Sequence, residues 1–169
     1  MGPMVEIRPL IKSDASRLAE LANNKNIWDN LRDYIPYPYR IEDAHEFIKS
    51  KESERPTLTF GITHSSEFCG IIGLNANTDV HRLTAEMGYW VGEPFWKKGI
   101  TTKAIALVSD YGFKKLGLER IYASVFDFNI PSMRVLEKNG FNKEGVLRNS
   151  VIKNGTIHDQ HLYAKLKNE

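Results

Sequence analysis

Apolar and polar positions alternate from the start of the chain. In VEIRPL, Val5 and Ile7 alternate with Glu6 and Arg8, which predicts a first strand. An Ala/Leu-rich run follows. Ser13 and Asp14 offer N-caps for a helix through about Asn24. IWDNLRDYI reads as a second short helix, ended by PYPYR, because each proline disfavours helix in the residue before it. IEDAHEFIKSKES predicts a third helix. TLTFGIT and EFCGIIGLN read as a strand pair joined through the polar HSSE. TAEMGYWVG, rich in aromatic and β-branched residues, is a further strand. The period then changes. Ala104, Leu107, Val108 and Tyr111 recur at helical spacing, and Gly117 supplies a stop. ERIYASVF is a strand. IPSMRVLEKNGF is a short helix with proline at its start and Gly140 past its end. In SVIKNGTIHDQHLYAKL, Asn154-Gly155 suits a tight type I′ hairpin. The order predicts one domain over residues 1–169: an α/β (α+β) fold with a single mixed sheet and helices on both faces.

Composition narrows the class. The chain has 169 residues, enough for one well-formed core. Hydrophobic residues make up 41% and charged residues 26%, which excludes disordered and fibrous classes. A formal charge of +2 is too small for a nucleic-acid footprint. No apolar run approaches the roughly 18–20 residues needed to span a bilayer, and MGPMVEIRPL lacks a signal-peptide core. One cysteine excludes an internal disulfide framework and fits a reducing compartment. The expectation is a cytoplasmic protein, monomer or homodimer, with no membrane and no nucleic-acid partner.

Candidate chemistry concentrates in PFWKKGITTKA, residues 94–104. A strand feeds this loop and a helix opens near Gly99. A helix N-terminus leaves backbone N–H groups unpaired and carries partial positive charge, so it binds phosphate readily. Gly99 lets a ligand approach the backbone. Lys97 and Lys98 add charge, and the Thr101 and Thr102 hydroxyls can donate to phosphate oxygens. The stretch suits a pyrophosphate. A Lys-Lys-Gly turn before a helix is also an ordinary surface feature. Neither nucleotide-binding glycine motif, G-x-x-x-x-G-K-[ST] or G-x-G-x-x-G, is present.

A second stretch, FNIPSMRVLEKNGF (residues 128–141), decides between these readings. Together with TAEMGYWVGEPFWKKGITTKA it resembles the GCN5-related N-acetyltransferase (GNAT) superfamily, in its RimJ/RimL-like branch. EIRPL and LRDYIPYPYRIEDAHEFI resemble that branch's first strand and acceptor-side helices, so the resemblance covers nearly the whole chain. It implies the GNAT fold, with a mostly antiparallel twisted sheet. It also implies acetyl-CoA (coenzyme A) as co-substrate, an amine acceptor and no metal. The family loop Q/R-x-x-G-x-G/A is matched by Trp96, Gly99 and Thr101, with only the middle position kept. The resemblance assigns the pyrophosphate to Lys97, Lys98, Gly99, Ile100, Thr101 and Thr102. It assigns the pantetheine arm to the backbone of Trp90 and Val91 and to Asn129, and the neighbourhood of the thioester sulfur to Ser132. Many members carry a tyrosine acid four residues beyond that serine. Leu136 stands there, so Ser132 or a water must supply the proton.

The other candidates carry both a plain and a functional reading. Glu86 lies in an otherwise apolar strand, where it is either a structural hydrogen-bonding group or a general base acting through water. Trp28, Tyr34 and Tyr37, with Tyr39 beside them, are candidate acceptor-cleft walls, although such aromatics often belong to a core. Cys69 reads as a buried core residue rather than a nucleophile. His158 and His161 lie three apart in a strand and so face opposite ways, which argues against a metal site. The expected activity is direct acetyl transfer to a primary amine, either a protein N-terminus or a small molecule. A non-catalytic acyl-CoA-binding module and a nucleic-acid-binding domain are the alternatives.

Overall fold

The computed structural model describes residues 4–169. Among the described residues, seven strands form one sheet in the order β1 (Val5–Pro9), β2 (Thr59–His64), β3 (Glu67–Ala76), β4 (Thr84–Val91), β5 (Arg120–Phe126), β7 (Thr156–Leu166) and β6 (Asn142–Lys153). The chain divides into two compact units. The first runs to Gly73 and takes in Tyr89–Ala104; the second is Leu74–Gly88 with Ile105–Glu169.

In the first unit, β1 (Val5–Pro9) pairs antiparallel with β2 (Thr59–His64), from Val5 opposite His64 to Pro9 opposite Phe60. β2 in turn pairs antiparallel with β3 (Glu67–Ala76). The turn between them places Ser65 and Ser66 at φ 50 and 69. Helix α1 (Ala15–Ala22) buries Ala15, Leu18, Ala19 and Ala22, one stripe at i, i+3, i+4 and i+7 spacing, and packs with α3 (Ile41–Lys51). Asp14 holds the N-cap position of α1, but its carboxylate faces away from the helix. It forms a two-pronged pair with Arg8, 2.8 Å on each side, and accepts the Ile11 N–H at 2.9 Å. That choice follows from burial: Asp14 is 4% exposed, and a buried carboxylate needs a cation and several donors.

The helix expected over IWDNLRDYI is corrected. Only α2 (Lys25–Trp28) forms, capped by Asn24, whose side chain accepts the Asn26 N–H. Beyond Trp28 the chain turns. The Trp28 indole donates to the Ile35 carbonyl at 2.8 Å, closing the segment as a loop. Ile27, Leu31 and Ile35 recur at helical spacing, but Leu31 and Ile35 are only half-buried in the loop, and a short helix with so little to bury is marginal.

β4 (Thr84–Val91) starts in the second unit, where it runs parallel to β5 (Arg120–Phe126), pairing Thr84 with Arg120, Ala85 with Ile121 and Glu86 with Tyr122; its last residues belong to the first unit. β5 pairs antiparallel with β7 (Thr156–Leu166) along its whole length, and β7 with β6 (Asn142–Lys153). Asn154 and Gly155, at φ 51 and 77, make the expected tight turn. α4 (Ile100–Lys114) buries Ala104, Ile105 and Val108, and α5 (Ile130–Lys138) buries Met133 and Leu136. The hydrophobic pattern marks the last hairpin only from about Ser150, but β6 starts at Asn142. Its early residues are exposed and its register with β7 shifts twice, so neither alternation nor burial signals it.

Candidate active site

The loop after β4 is built to present the start of α4. The Gly92 N–H donates to the Cys69 carbonyl at 2.8 Å, and Phe95 is buried beneath the turn. The Trp96 indole donates to the Val91 carbonyl at 2.7 Å and ties the loop back to the end of its strand. Lys97 and Gly99 then take φ 61 and 75, which turns the chain sharply into the helix. The Gly99 carbonyl accepts the Lys103 N–H at 3.2 Å, so Gly99 holds the N-cap place and the amides that follow open the first turn. Ile100 is buried and anchors that turn, Thr101 and Thr102 are half-buried, and Lys97, Lys98 and Gly99 are exposed. Lys98 Nζ lies 5.9 Å from the Phe95 ring centroid, a cation–π contact that keeps the ammonium near the turn.

A Cβ built on Gly99 meets nothing within 4 Å. The space over this amide turn is open to a ligand, unlike the space at Gly70, where an added Cβ would lie 2.3 Å from the Trp90 carbonyl oxygen. Gly70 therefore lets the backbone of β3 come against the Trp90 peptide, and Val91, 5% exposed, is fixed by the same packing. Backbone amides, two exposed lysines and an open glycine fit a pyrophosphate and its neighbouring groups.

Four further candidates lie in the second unit. Glu86 is half-buried on the sheet face opposite the buried Ala85 and Met87. Asn129 occupies the N-cap of α5 without using its side chain as a cap, and its N–H donates to the Phe126 carbonyl at 2.9 Å. Its amide is therefore not spent on the helix end. Ser132 is half-buried in the first turn of α5. Leu136, where many family members hold a tyrosine acid, is completely buried.

The aromatic candidates separate. Trp28 and Tyr37 stack with ring centroids 5.6 Å apart, Tyr34 is 78% exposed and Tyr37 44%. Tyr39 is core: it is 9% exposed, and burial, with Asp43 nearby, pushes its phenol up to about 12. Cys69 is also core. It is fully buried, its Sγ lies 3.4 Å from the Ile62 carbonyl oxygen, and burial pushes its thiol up to about 11, so no thiolate is at hand for attack. Among the described residues no three His, Cys, Asp or Glu side chains gather as a metal site, and no helix is long and apolar enough to cross a membrane.

The sequence reading did not foresee two contacts. Trp96 appears there only as a departure from the loop motif, yet its indole fixes the loop. An indole N–H within reach of a strand end was the only signal for this. The second is a pair formed by Asp127 and His158, 2.9 Å apart, just before Asn129. His158 and Asp127 lie 31 residues apart in sequence, and nothing local joins them.

Residues 5–142 match the acetyltransferase (GNAT) domain family. The uncharacterized N-acetyltransferase YoaA of Bacillus subtilis is 41% identical over 132 residues, covering 75% of this chain and 74% of that protein. Spermidine N(1)-acetyltransferase of Escherichia coli is 30% identical over 155 residues, covering 89% and 80%. The structure of Mycobacterium smegmatis RimJ in complex with CoA-disulfide superposes with a TM-score of 0.86 at 26% identity, covering 98% of this chain and 86% of that one. The match over most of the chain, on a mixed seven-stranded sheet with the open amide turn at Gly99, leads to one conclusion: the chain belongs to the GNAT family, in its RimJ/RimL-like branch, and is an N-acetyltransferase that uses acetyl-CoA.

Proposed function

We propose that residues 1–169 act as one cytoplasmic domain that transfers acetyl directly to a primary amine, with a protein N-terminal α-amine as the first acceptor class and a small-molecule amine as the second. The observation that carries direct transfer is the state of Cys69. The chain's one cysteine is buried and its thiol is held protonated, so it offers no acyl-enzyme route. This favours attack by the amine itself.

Each candidate residue then has a task. The amides of Gly99, Ile100, Thr101 and Thr102 take the pyrophosphate oxygens, with Lys97 and Lys98 adding charge. Trp90 and Val91 offer strand-type backbone hydrogen bonds to the pantetheine amides, and the Asn129 side chain adds another. The Val91 N–H polarises the thioester carbonyl as charge develops on its oxygen. Glu86 receives the amine proton through water, and Ser132 donates a hydrogen bond to sulfur as the thiolate leaves. Trp28, Tyr34 and Tyr37 form an aromatic wall for the acceptor.

Proton chemistry favours the α-amine. With a pKa of about 7.8, about a tenth or more of it is free base at pH 7, against about 0.04% of a lysine amine of pKa about 10.4. An α-amine needs little help from a base.

An amine panel with acetyl-CoA tests the reading, with thiol release as the readout. The panel holds peptides with free N-termini, the same peptides N-terminally blocked but bearing lysine, polyamines and aminoglycosides. Release with free N-termini and none with blocked ones is expected. Release by polyamines alone moves the acceptor to the small-molecule class. A silent panel with CoA still bound in calorimetry identifies an acyl-CoA-binding module instead.

A further inference from the structure

The sheet face that carries Glu86 opens beside it. Glu86 and Tyr122 are the last paired residues of the β4–β5 ladder, although both strands run on past them. Residues two apart on a strand share a face, so Gly88 and Ser124 follow on the same side. All four belong to the second unit. Gly88 is exposed, and a Cβ built on it meets nothing within 4 Å. Ser124 pairs with Leu162 on β7, and Leu162 pairs with Gly145 on β6, where an added Cβ also meets nothing within 4 Å. The row next to Glu86 is therefore low and open.

Ser124 supplies the polar group of this opening. It is half-buried, and its hydroxyl makes no hydrogen bond among the described residues. Its oxygen still reaches solvent, unlike Ser109 Oγ, which is sealed in without a partner. The neighbouring Tyr122 hydroxyl is engaged elsewhere. It accepts from Asn77 Nδ2 at 3.3 Å, and the same amide donates to Thr84 Oγ1 at 2.8 Å. Arg120 lies 5.6 Å from the Tyr122 ring centroid. Thr84 and Arg120 both precede the Glu86–Tyr122 pair on their strands, so the phenol leans toward the start of β4 and away from Ser124. Strands lie about 4.8 Å apart and rise about 3.3 Å per residue, which puts Ser124 about 8 Å from Glu86 at Cα. A glutamate side chain, one small polar group and a serine hydroxyl span that gap.

From this geometry we infer that the opening receives the acceptor nitrogen, that the Ser124 hydroxyl accepts one of its N–H groups, and that Gly88 sets the width. The inference rests on the reading of the chain as a direct amine acetyltransferase with Glu86 on the proton path. A primary amine freed for attack has two N–H groups and one lone pair. The lone pair must face the acetyl carbon. One N–H then turns to the water on Glu86. The other needs an acceptor of its own, because a polar group taken from water without a partner costs free energy. Ser124 Oγ has two lone pairs to offer. A secondary amine has only one N–H and leaves Ser124 unused, so the arrangement favours primary amines.

The test compares wild type with Ser124→Ala, Ser124→Val and Ser124→Thr, using a primary amine the wild type accepts and its N-methyl counterpart. Valine and threonine share a shape, and only threonine keeps a hydroxyl. Ser124→Ala and Ser124→Val should lower kcat/KM for the primary amine about three- to tenfold, the span of one neutral hydrogen bond, with Ser124→Thr close to wild type. The same substitutions should change little for the N-methyl amine, so the preference for the primary amine narrows. CoA affinity by calorimetry and the melting temperature should stay near wild type in all three. Gly88→Ala adds only the atom for which there is room. It should keep its fold and its CoA affinity and raise KM for both amines severalfold. Equal losses for both amines overturn the hydrogen bond, as does a Ser124→Thr as slow as Ser124→Val, since a packing role behaves that way. Loss of CoA affinity in Gly88→Ala gives the opening to the cofactor and overturns the proposal. If the wild type turns over no amine, the transfer reading fails and the acceptor opening with it. If it turns over amines and Ser124→Val matches wild type, only the role of Ser124 fails.

Discussion

In the proposed pyrophosphate turn, Gly99 is where one added side chain would bear most directly on the cofactor. Its φ of 75 is a conformation that a β-branched residue adopts only at a cost of about 1–3 kcal/mol, while the open space above it means that the same side chain meets no protein atom. Gly99→Val should therefore stay folded with a slightly lower melting temperature and lose measurable CoA binding in calorimetry, because the new methyls fill the ligand's approach. Undiminished affinity would remove the turn from the site. Ser132 is the residue proposed for the sulfur end. A thiol of pKa about 8.5 is a fair leaving group, so the help required is small. Ser132→Ala should lower kcat about ten- to a hundredfold, about 1.4–2.7 kcal/mol, with acetyl-CoA affinity unchanged. Single-turnover rates with an accepted amine decide it, and a wild-type rate would leave water as the proton source. Restoring a tyrosine acid through Leu136→Tyr is not expected to work. Leu136 is wholly buried, so a phenol there overpacks the core at about 1–3 kcal/mol instead of reaching a ligand. The sequence made Gly99, Lys97, Lys98 and the Asn129–Ser132 start legible because each lies within one short stretch where charge, glycine or capping residues interrupt an apolar period. It left Asp127 with His158 invisible, because that pair exists only once β7 is laid against β5.

At the scale of elements the same distinction holds. Helices α1, α3, α4 and α5 were readable from a buried stripe of period 3.6, and β2 and β3 from continuous apolar runs. The helix expected at Ile27–Ile35 ends at Trp28, where the indole bond to the Ile35 carbonyl closes the following residues as a loop although Ile27, Leu31 and Ile35 keep helical spacing. The opening half of β6 was missed because an exposed strand with two register shifts carries no alternation to read. What secures its start is the pair between Arg120 on β5 and Glu144 on β6, with two hydrogen bonds of 2.8 and 2.7 Å. Arg120 also lies 5.6 Å from the Tyr122 ring centroid. The Arg120 hydrogen bonds hold the Glu144 carboxyl below its ordinary range. A depressed folded-state value means that the contribution to stability is present above the unfolded carboxyl value and lost as pH falls through the folded one. Glu144 is 40% exposed, so solvent screening limits the pair to about 0.5–1 kcal/mol. Arg120→Ala should lower the melting temperature by a few degrees at pH 7, with the gap from wild type closing below about pH 4. A gap that stays constant down to pH 2 would mean that Arg120 stabilises through its stacking on Tyr122, not through Glu144.

For the molecule as a whole, the reaction is a proton balance as much as an acetyl transfer. An ammonium cannot attack, so the total rate carries the cost of freeing the amine, and the acceptor's own pKa sets how large that cost is. The free fractions of an α-amine and a lysine amine at pH 7 differ by about 300-fold, equivalent to about 3.4 kcal/mol. If this chain takes α-amines, losing Glu86 removes help that the acceptor only partly needs. Glu86→Gln should then lower kcat/KM for a peptide with a free N-terminus about three- to tenfold at pH 7. The deficit should shrink toward zero by about pH 8.5, where the α-amine is mostly unprotonated. For a lysine-like amine the deficit should be far larger and should persist through that range. Thiol-release rates from pH 6.5 to 9, measured for both amines with wild type and Glu86→Gln, separate the cases. Glu86 sits half-buried beside Tyr122, and a purely structural role for it would look different. It would give the same loss for both amines at every pH, accompanied by a fall in melting temperature. That result would assign Glu86 to holding β4 against β5.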